Sequence, residues 1–270
     1  MRSTGLIFVA AALCAGLSAC GGDAGGAFSF DPVAKAAEKT LHAGASKVSI
    51  VGDVHGGGRS VHFVGGGVET ANALDLTVFA NPFSSPSVTI HEIGVTERGH
   101  TILYLTIPEA TGELPSGKKW IRMDTDEIAK KHYGVDPSRL SPTGGQDARQ
   151  SLKLLEQPGS TVRKVGVETV DGSSAMHYHV VVDVVKEFKA AGASTKGLSE
   201  LRREFGTGTI PMDVWVDKAG YVHRLQFTYR IQRATASITM TMTDFGLSAT
   251  IKPPPRDETI SFEKALATLN

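Results

Sequence analysis

Residues 210–243, IPMDVWVDKAGYVHRLQFTYRIQRATASITMTMT, decide the fold because apolar and polar side chains alternate along them with a period of two. This period is typical of β-strands that are covered on one face and meet water on the other. The turn 218–220 separates the first strand from the second, and a third strand follows. The third strand has the clearest pattern, with a threonine stripe opposite an apolar stripe of Ala236, Ile238, Met240 and Met242.

The other two strands of this stretch leave one question of orientation open. The first strand has an apolar face, so Trp215 points to the opposite face, where a covering loop or a partner would meet it. That apolar face carries Ile210, Met212, Val214 and Val216. In the second strand, strict alternation puts Leu225 and Phe227 on the same face as Tyr221 and His223, which leaves the face of that group undecided.

The same patterns extend outward along the chain. Strands are predicted at 46–54, from 61 onward, and at 73–80, 87–96, 101–107, 118–123, 161–169 and 174–184. Helices are predicted from Asp31-Pro32 to about 42, at 124–133 and at 145–157, with a mixed helical segment at 186–205. The result is about ten to eleven strands in hairpin order with three or four helices. This arrangement predicts an α+β fold with a single antiparallel sheet bent around helices, and it excludes a regular βαβ pattern.

Composition limits the classes of function. The chain has 270 residues, and 41% hydrophobic residues are enough to bury a core. Its 28 basic residues balance 28 acidic ones, so no electrostatic footprint for nucleic acid is present. The 30 glycines are expected in turns and loops. The glycine-rich run HGGGR at 55–59 lies between two strands and predicts a hairpin turn, not a hydrolase oxyanion motif.

The N-terminus has the pattern of a bacterial lipoprotein signal. Arg2 precedes an apolar run of about a dozen residues, which suits a secretory signal and is too short to span a bilayer. The run ends in Leu17-Ser18-Ala19-Cys20, the pattern of a lipobox. We therefore predict a signal peptide at 1–19, acylation of the Cys20 thiol and a flexible Gly-rich tether up to residue 30. The folded domain, 31–270, would be anchored to the extracytoplasmic face of the cell membrane.

Several polar groups were weighed for chemistry. His177 and His179 lie on one strand face, with Asp183 as a conjectural third metal ligand, but the face is predicted to meet water and no metal is assigned. The acidic group Asp124, Asp126 and Glu127 is interpreted as a helix cap, with calcium binding or catalysis as the lesser alternative. The basic pairs 130–131 and 202–203 are interpreted as solvated helix faces, with contact to a lipid headgroup or an anionic membrane as the lesser alternative. No nucleophile motif or phosphate loop is present, so we predict no enzyme activity and no cofactor.

The chain resembles the LppX/LprG-type lipoproteins of mycobacterial type, within the LolA/LolB-like half-barrel proteins. The resemblance rests on the lipobox, the tether and four stretches: DPVAKAAEKTLHAGASKVSI (31–50), GKKWIRMD (117–124), IPMDVWVDKAGYVHRLQFTY (210–229) and TMTDFGLSATIKPP (241–254). It covers nearly the whole chain after the signal. It implies a half-open barrel whose concave face, lidded by helices, binds acyl chains of lipids or glycolipids.

Together these observations predict a lipid-binding envelope lipoprotein that transports or presents a lipid. Methionines on apolar strand faces suit adaptable apolar surfaces. The candidate cavity wall is Met176, Val180, Met212, Val214, Leu225, Phe227, Ile238, Met240 and Met242. Predicted partners are the lipid ligand, the membrane through Cys20 and a membrane transporter. The alternative is an envelope sensor or partner-binding module with a filled core and no lipid.

Overall fold

The computed structural model describes residues 32–70, 72–82, 87–134, 155, 161–190, 192–205, 208–231 and 234–269. The described α-helices are α1 (Pro32–Leu41), α2 (Thr125–Tyr133), α3 (Val184–Ala190), α4 (Thr195–Phe205) and α5 (Phe262–Leu269). The strands are β1 (Ala45–Gly56), β2 (Arg59–Glu69), β3 (Ala73–Pro82), β4 (Val88–Glu97), β5 (His100–Thr106), β6 (Trp120–Asp124), β7 (Thr161–Val170), β8 (Ser173–Asp183), β9 (Thr209–Asp217), β10 (Val222–Ile231), β11 (Ala234–Leu247) and β12 (Thr259–Ser261). Two 3₁₀ helices cover Pro108–Glu113 and Arg256–Glu258.

All of these strands form one open sheet in the order β12-β6-β5-β4-β3-β2-β1-β11-β10-β9-β8-β7. The order consists of two hairpin runs, β1 to β6 and β7 to β11, which join where β1 pairs with β11 and Ile50 lies opposite Met240. Every pair is antiparallel except β12 with β6. The predicted single curved antiparallel sheet with a few helices is confirmed. Its twelve strands exceed the predicted ten to eleven because the sequence pattern did not indicate the three-residue β12.

The helices follow from local signals where the chain is described. Helix α2 begins after Asp124, whose side chain accepts a hydrogen bond from the backbone N–H of Glu127 at 3.0 Å. It ends at Gly134, which has a φ of 67° and caps the helix through a bond to the carbonyl of Lys130. The mixed segment 186–205 resolves into α3 and α4. The predicted helix 145–157 lies outside the described residues except for Leu155, which is buried.

A β-bulge corrects the predicted alternation of β10. The register with β9 shifts between Val222 and Arg224, so that His223 is an extra residue on β10. Val222 and Leu225 are therefore buried together although they stand three residues apart. The bulge separates Leu225 and Phe227 from Tyr221 and His223, which the sequence had placed on one face.

Glycines also depart from the prediction. Gly57 and Gly58 form the expected hairpin turn with φ angles of 60° and 75°. Gly65 and Gly67, however, lie inside β2 and not in a loop. A Cβ at Gly67 would stand 1.8 Å from the carbonyl oxygen of Asp75, and one at Gly65 would stand 2.6 Å from that of Thr77. The absence of side chains at these positions lets β2 and β3 approach closely on the face that curls inward.

Candidate ligand-binding site: the concave face of the sheet

The concave face, defined here as the sheet face that contacts α1, α3, α4 and Leu155, carries an apolar surface that crosses eight strands. One cross-strand row runs through Tyr178, Val214, Leu225, Met240, Ile50, Gly65, Val78 and Ile90. The next row runs through Val180, Met212, Phe227, Ile238, Gly52, Phe63, Ala80 and Val88. No charged side chain interrupts either row, so the surface is apolar from β8 to β4.

The nine residues predicted as a cavity wall all lie on this surface or at its margin. Eight of them are buried, namely Val180, Met212, Val214, Leu225, Phe227, Ile238, Met240 and Met242. Met176 is half-buried and packs against the same cluster. The structure therefore brings the predicted residues together on one face. Their role as the wall of a ligand site stays a prediction.

The cover over the concave face is made of short elements with small contact residues. Helix α1 contributes Val33, Ala36 and Ala37, and α3 and α4 contribute Phe188 and Leu201. Because alanines fill little volume, α1 lies close to the sheet without occupying much of the concave surface. The cover is thus divided among separate helices.

Hydrogen bonds hold α1 to β10. The buried Thr40 hydroxyl donates to the carbonyl of Ala36 at 2.7 Å and accepts from the backbone N–H of Val222 at 2.8 Å. Lys39 donates to the carbonyl of Ala219 and lies over the ring of Tyr221, with 4.5 Å from its Nζ to the ring centroid. One end of the cover is therefore fixed to the sheet. The Thr40 hydroxyl supplies an acceptor for the backbone N–H of Val222, which lies next to the bulge.

The first hairpin run supplies half of the concave face, which the sequence did not indicate. Val48 and Ile50 had the required alternation, but β4 is buried on both faces over residues 92–95, and alternation alone does not show which face is concave. Two acidic residues of this run are buried, Glu69 at the end of β2 and Glu92 in β4, and Glu69 accepts a hydrogen bond from Ser46 at 3.0 Å. In the sequence, the only indication that these two glutamates are buried was that each is a charged residue within a predicted strand.

On the opposite, convex face, the predicted histidine pair lies in an ion-pair network. The ring of His177 has its Nδ1 2.8 Å from Glu168 Oε1 and its Nε2 2.9 Å from Asp213 Oδ1. His179 Nδ1 lies 3.0 Å from the same Asp213 oxygen. Trp215, which points to this face as predicted, stacks on His177 with 4.5 Å between ring centroids and donates to Glu168 at 2.8 Å. These contacts account for Trp215 without a partner protein.

The electrostatics of this network follow from its contacts. The hydrogen bonds from Trp215 and His177 lower the pKa of the Glu168 carboxyl. Burial acts to raise the pKa of Asp213, but hydrogen bonds from His179 and His177 outweigh it, and the pKa is lowered. Asp183 does not join the group: its carboxylate accepts from the backbone N–H of Lys186 at the start of α3.

The acidic group after β6 serves the structure, as the helix-cap interpretation predicts. Asp124 caps α2, and Asp126 accepts a hydrogen bond from the backbone N–H of Thr101 at 3.0 Å. Burial raises the pKa of Asp126, and the bond from Thr101 opposes that effect. The basic pairs 130–131 and 202–203 are exposed on their helices, as predicted.

No family model matches the chain. An uncharacterized 31.2 kDa protein in the rplA-rplJ intergenic region of Streptomyces griseus is 27% identical over 169 residues, or 60% of this chain. The match spans 54% of that protein, so the chain matches about half the length of this curated relative.

Similar solved structures include two mycobacterial proteins and a member of the LolA superfamily. LprF from Mycobacterium bovis is 13% identical with a TM-score of 0.39, covering 83% of this chain and 95% of LprF. The Mycobacterium tuberculosis lipoprotein LppX is 14% identical with a TM-score of 0.37, covering 83% of this chain and 100% of LppX. A LolA superfamily protein from Nitrosomonas europaea is 10% identical with a TM-score of 0.23, covering 81% and 93%.

The helices α1 to α5, in the described part of the chain, have 7 to 11 residues each. None of the helices there is both long enough and apolar enough to cross a bilayer.

Proposed function

We propose that this protein is a cell-envelope lipoprotein that binds the acyl chains of a lipid or glycolipid, or another apolar ligand, on its concave face. The observation that carries the proposal is the uninterrupted apolar surface across eight strands, with methionines in both rows. At about 4.8 Å between neighbouring strands, the surface follows the curve for roughly 34 Å. Each methylene moved from water onto such a surface contributes about 0.8 kcal/mol.

The divided cover supports entry of a ligand. Helices α1 and α4 have 10 and 11 residues, and at 1.5 Å per residue each is roughly 15 to 17 Å long. Neither helix spans the surface, so a ligand can enter when one helix shifts and the other stays in place. We assign no chemical step to the protein: the ligand is bound and then transported or presented.

The proposed anchor is the acylated thiol of Cys20. Residues 1–19 would serve as the signal peptide, residues 20–30 as the tether and residues 31–270 as the lipid-binding domain. Acyl chains on Cys20 would hold the domain on the extracytoplasmic face of the cell membrane, since several chains give stable anchoring where one gives only marginal binding. A membrane transporter is the proposed further partner.

Ligand binding is tested with residues 21–270, which contain all of the described elements. Native mass spectrometry and solvent extraction of this protein should give a phospholipid or glycolipid mass. Met240→Trp adds bulk to the concave face, and Thr239→Trp adds the same bulk to the convex face of the same strand. We expect the ligand to be lost from the first variant and kept by the second, with circular dichroism confirming that both fold. A protein that is free of ligand and stays so when lipids are offered contradicts the proposal.

Anchoring is tested separately on the full chain. The wild-type protein should incorporate labelled palmitate and sediment with membranes, whereas Cys20→Ser should do neither. Equal labelling of the two proteins, or no labelling of either, would show that Cys20 is not the anchor.

One observation favours the second candidate, a partner-binding module without lipid. Val51, Val64 and Phe79 are opposite one another on β1, β2 and β3 and form a convex-face row with exposed fractions of 45%, 40% and 52%. Contiguous exposed apolar residues are typical of interaction sites. Phe79→Asp should leave ligand binding unchanged if the lipid function is right. If the purified protein carries no lipid and binds none, this exposed row becomes the better candidate for the functional surface.

A further inference from the structure

A cleft of about 560 Å³ that is lined in part by charged residues lies on the convex face, at the end of the sheet formed by β4, β5, β6 and β12. Its volume falls within the roughly 300 to 1,000 Å³ of small-molecule sites. The guanidinium groups of Arg98, Arg122 and Arg256 line it, together with two carboxylates, Glu97 and Asp124. Ile102 and Tyr104 also line the cleft and belong to a convex-face apolar cluster, so the cleft is separate from the concave site.

Both carboxylates of the cleft are already engaged within the protein. Asp124 uses Oδ1 to cap α2 and Oδ2 to contact His100 Nδ1 at 3.0 Å. Glu97 accepts a hydrogen bond from the Tyr104 hydroxyl on Oε1 at 2.6 Å. Its Oε2 lies 3.6 Å from Arg122 Nη2, which is an ion pair but longer than a hydrogen bond. The acidic groups of the cleft therefore have little capacity left for further cations.

In the part of the chain that the structure describes, two of the three arginines have no anionic partner. Within the described ranges, the side chains of Arg98 and Arg256 make neither a hydrogen bond nor an ion pair. Guanidinium groups that share a cleft repel one another, and an arginine matches a carboxylate or phosphate through paired N–H donors. The arrangement favours an anion supplied from outside the chain.

The backbone brings both arginine residues to the cleft. Arg98 is in the turn between β4 and β5 with a φ of 52°, next to Gly99 with a φ of 83°. Turns of this kind favour Asn, Asp or Gly, so Arg98 has a backbone conformation that is uncommon for its residue type. Arg256 begins a 3₁₀ helix whose residues bond to the start of β6: the N–H of Lys119 donates to the carbonyl of Glu258 at 2.8 Å, and Lys118 Nζ donates to that of Asp257 at 2.7 Å.

We propose that this cleft binds a phosphate or carboxylate group of a small anionic ligand. Arg98 and Arg256 are its principal ligands, and Arg122 supplies a third positive charge. The group can belong to a free anion or to the headgroup of a lipid, since both present the same oxygens. The site is on the opposite sheet face from the proposed acyl-chain site and is independent of it.

The experiment titrates the full chain, purified in a nonionic detergent, with inorganic phosphate, citrate and sn-glycerol 3-phosphate by calorimetry at low ionic strength. Arg98→Asn removes the charge and suits the turn, and Arg256→Gln removes the other charge. Arg163→Gln, an exposed arginine on β7, is the matched control. We expect one saturable site whose Kd rises at least tenfold in each of the first two variants and stays within twofold in the control.

The outcomes separate the sources of the ligand. Tighter binding of glycerol 3-phosphate than of phosphate or citrate identifies a headgroup, and the reverse order identifies a free anion. Saturable binding should weaken as salt is raised, because exposed guanidinium groups are screened. No saturable binding of any probe overturns the proposal, as does an equal loss in the Arg163 variant, since either result shows that the two arginines do not form a site.

Discussion

The two faces of the sheet carry the same alternation but differ in what covers them. On β2, Phe63 on the concave face is completely buried, whereas its neighbour Val64 on the convex face is 40% exposed. The concave face buries its apolar residues continuously beneath separate helices. Among the described residues, the convex face buries apolar side chains in two patches only. One lies beside Ile251 of the C-terminal segment, and the other surrounds Trp215. Cover, and not residue type, decides which apolar side chain belongs to the core.

Phe63→Ala should cause the largest loss of stability among the substitutions that test this difference between the two faces. The Phe63 ring lies against Gly52, where an added Cβ would be 2.3 Å from the ring. Removing the ring leaves a cavity next to a residue with no side chain to fill it, so we expect a loss of about 3 to 5 kcal/mol in the free energy of unfolding. Val64→Ala is the control and should cost about 0.5 kcal/mol or less. Urea denaturation of both variants measures the difference, and equal losses would contradict the assignment of faces.

Gly67→Ala should come second. Its Cβ would collide with the backbone of Asp75, which cannot move without separating β2 from β3. We expect a loss of about 1 to 3 kcal/mol, as for other overpacked sites. At Gly66 the closest atom is a backbone oxygen of Val48 at 3.2 Å, so Gly66→Ala is the control and should change stability less. The measurement is the thermal unfolding temperature of the two variants. A larger decrease for Gly66→Ala than for Gly67→Ala would refute the close approach of β2 and β3 at Gly67.

Thr40→Val should have a smaller effect, confined to the cover. It removes the hydroxyl that accepts from the N–H of Val222 and leaves a buried donor without a partner. We expect a loss of about 1 kcal/mol in the free energy of unfolding, together with faster hydrogen exchange at Val222. Thr241→Val, on the convex threonine stripe, is the matched control with little expected change. Unchanged exchange at Val222 would show that Thr40 does not hold α1 to the sheet.

The smallest effect is expected from the convex histidine network and depends on pH. Because the pKa values of Glu168 and Asp213 are lowered in the folded protein, their contribution is present above the unfolded pKa of about 4 and is lost as pH falls through the folded values. Asp213→Asn should therefore reduce stability at pH 6 more than at pH 2. Denaturation midpoints across this range measure it, and a constant difference between the two proteins would disprove the linkage.

Much of the fold could be predicted from the sequence, for reasons visible in particular residues. The Thr/Met alternation of β11 and the Gly57-Gly58 turn are local signals, and both are confirmed. The bulge at His223 was not predictable, because apolar and polar residues keep alternating through it in the sequence. In the structure, however, β10 has one more residue there than its partner β9. Strand β12 was not predicted, because three residues are too few to show an alternation of apolar and polar side chains. Its pairing with β6 joins residues that are far apart in the chain.

The candidate site divides in the same way. The wall residues could be grouped because strands from 174 to 242 alternate clearly, whereas the arginine cleft could not be predicted. Arg98 and Arg256 are 158 positions apart, and only the passage of the C-terminal segment across β6 brings them to one cleft.

By itself, the sequence determined the class of fold, most of the described strand and helix positions and the apolar sides of β9 and β11, because these depend on residues that are neighbours along the chain. The tertiary structure alone decided that β1 joins β11, that Leu225 faces inward, that Val64 is left uncovered, and that two arginines share a cleft. Those features depend on how strands curl and on which segment covers each face. Such contacts are made between residues far apart in the chain, and no local period encodes them.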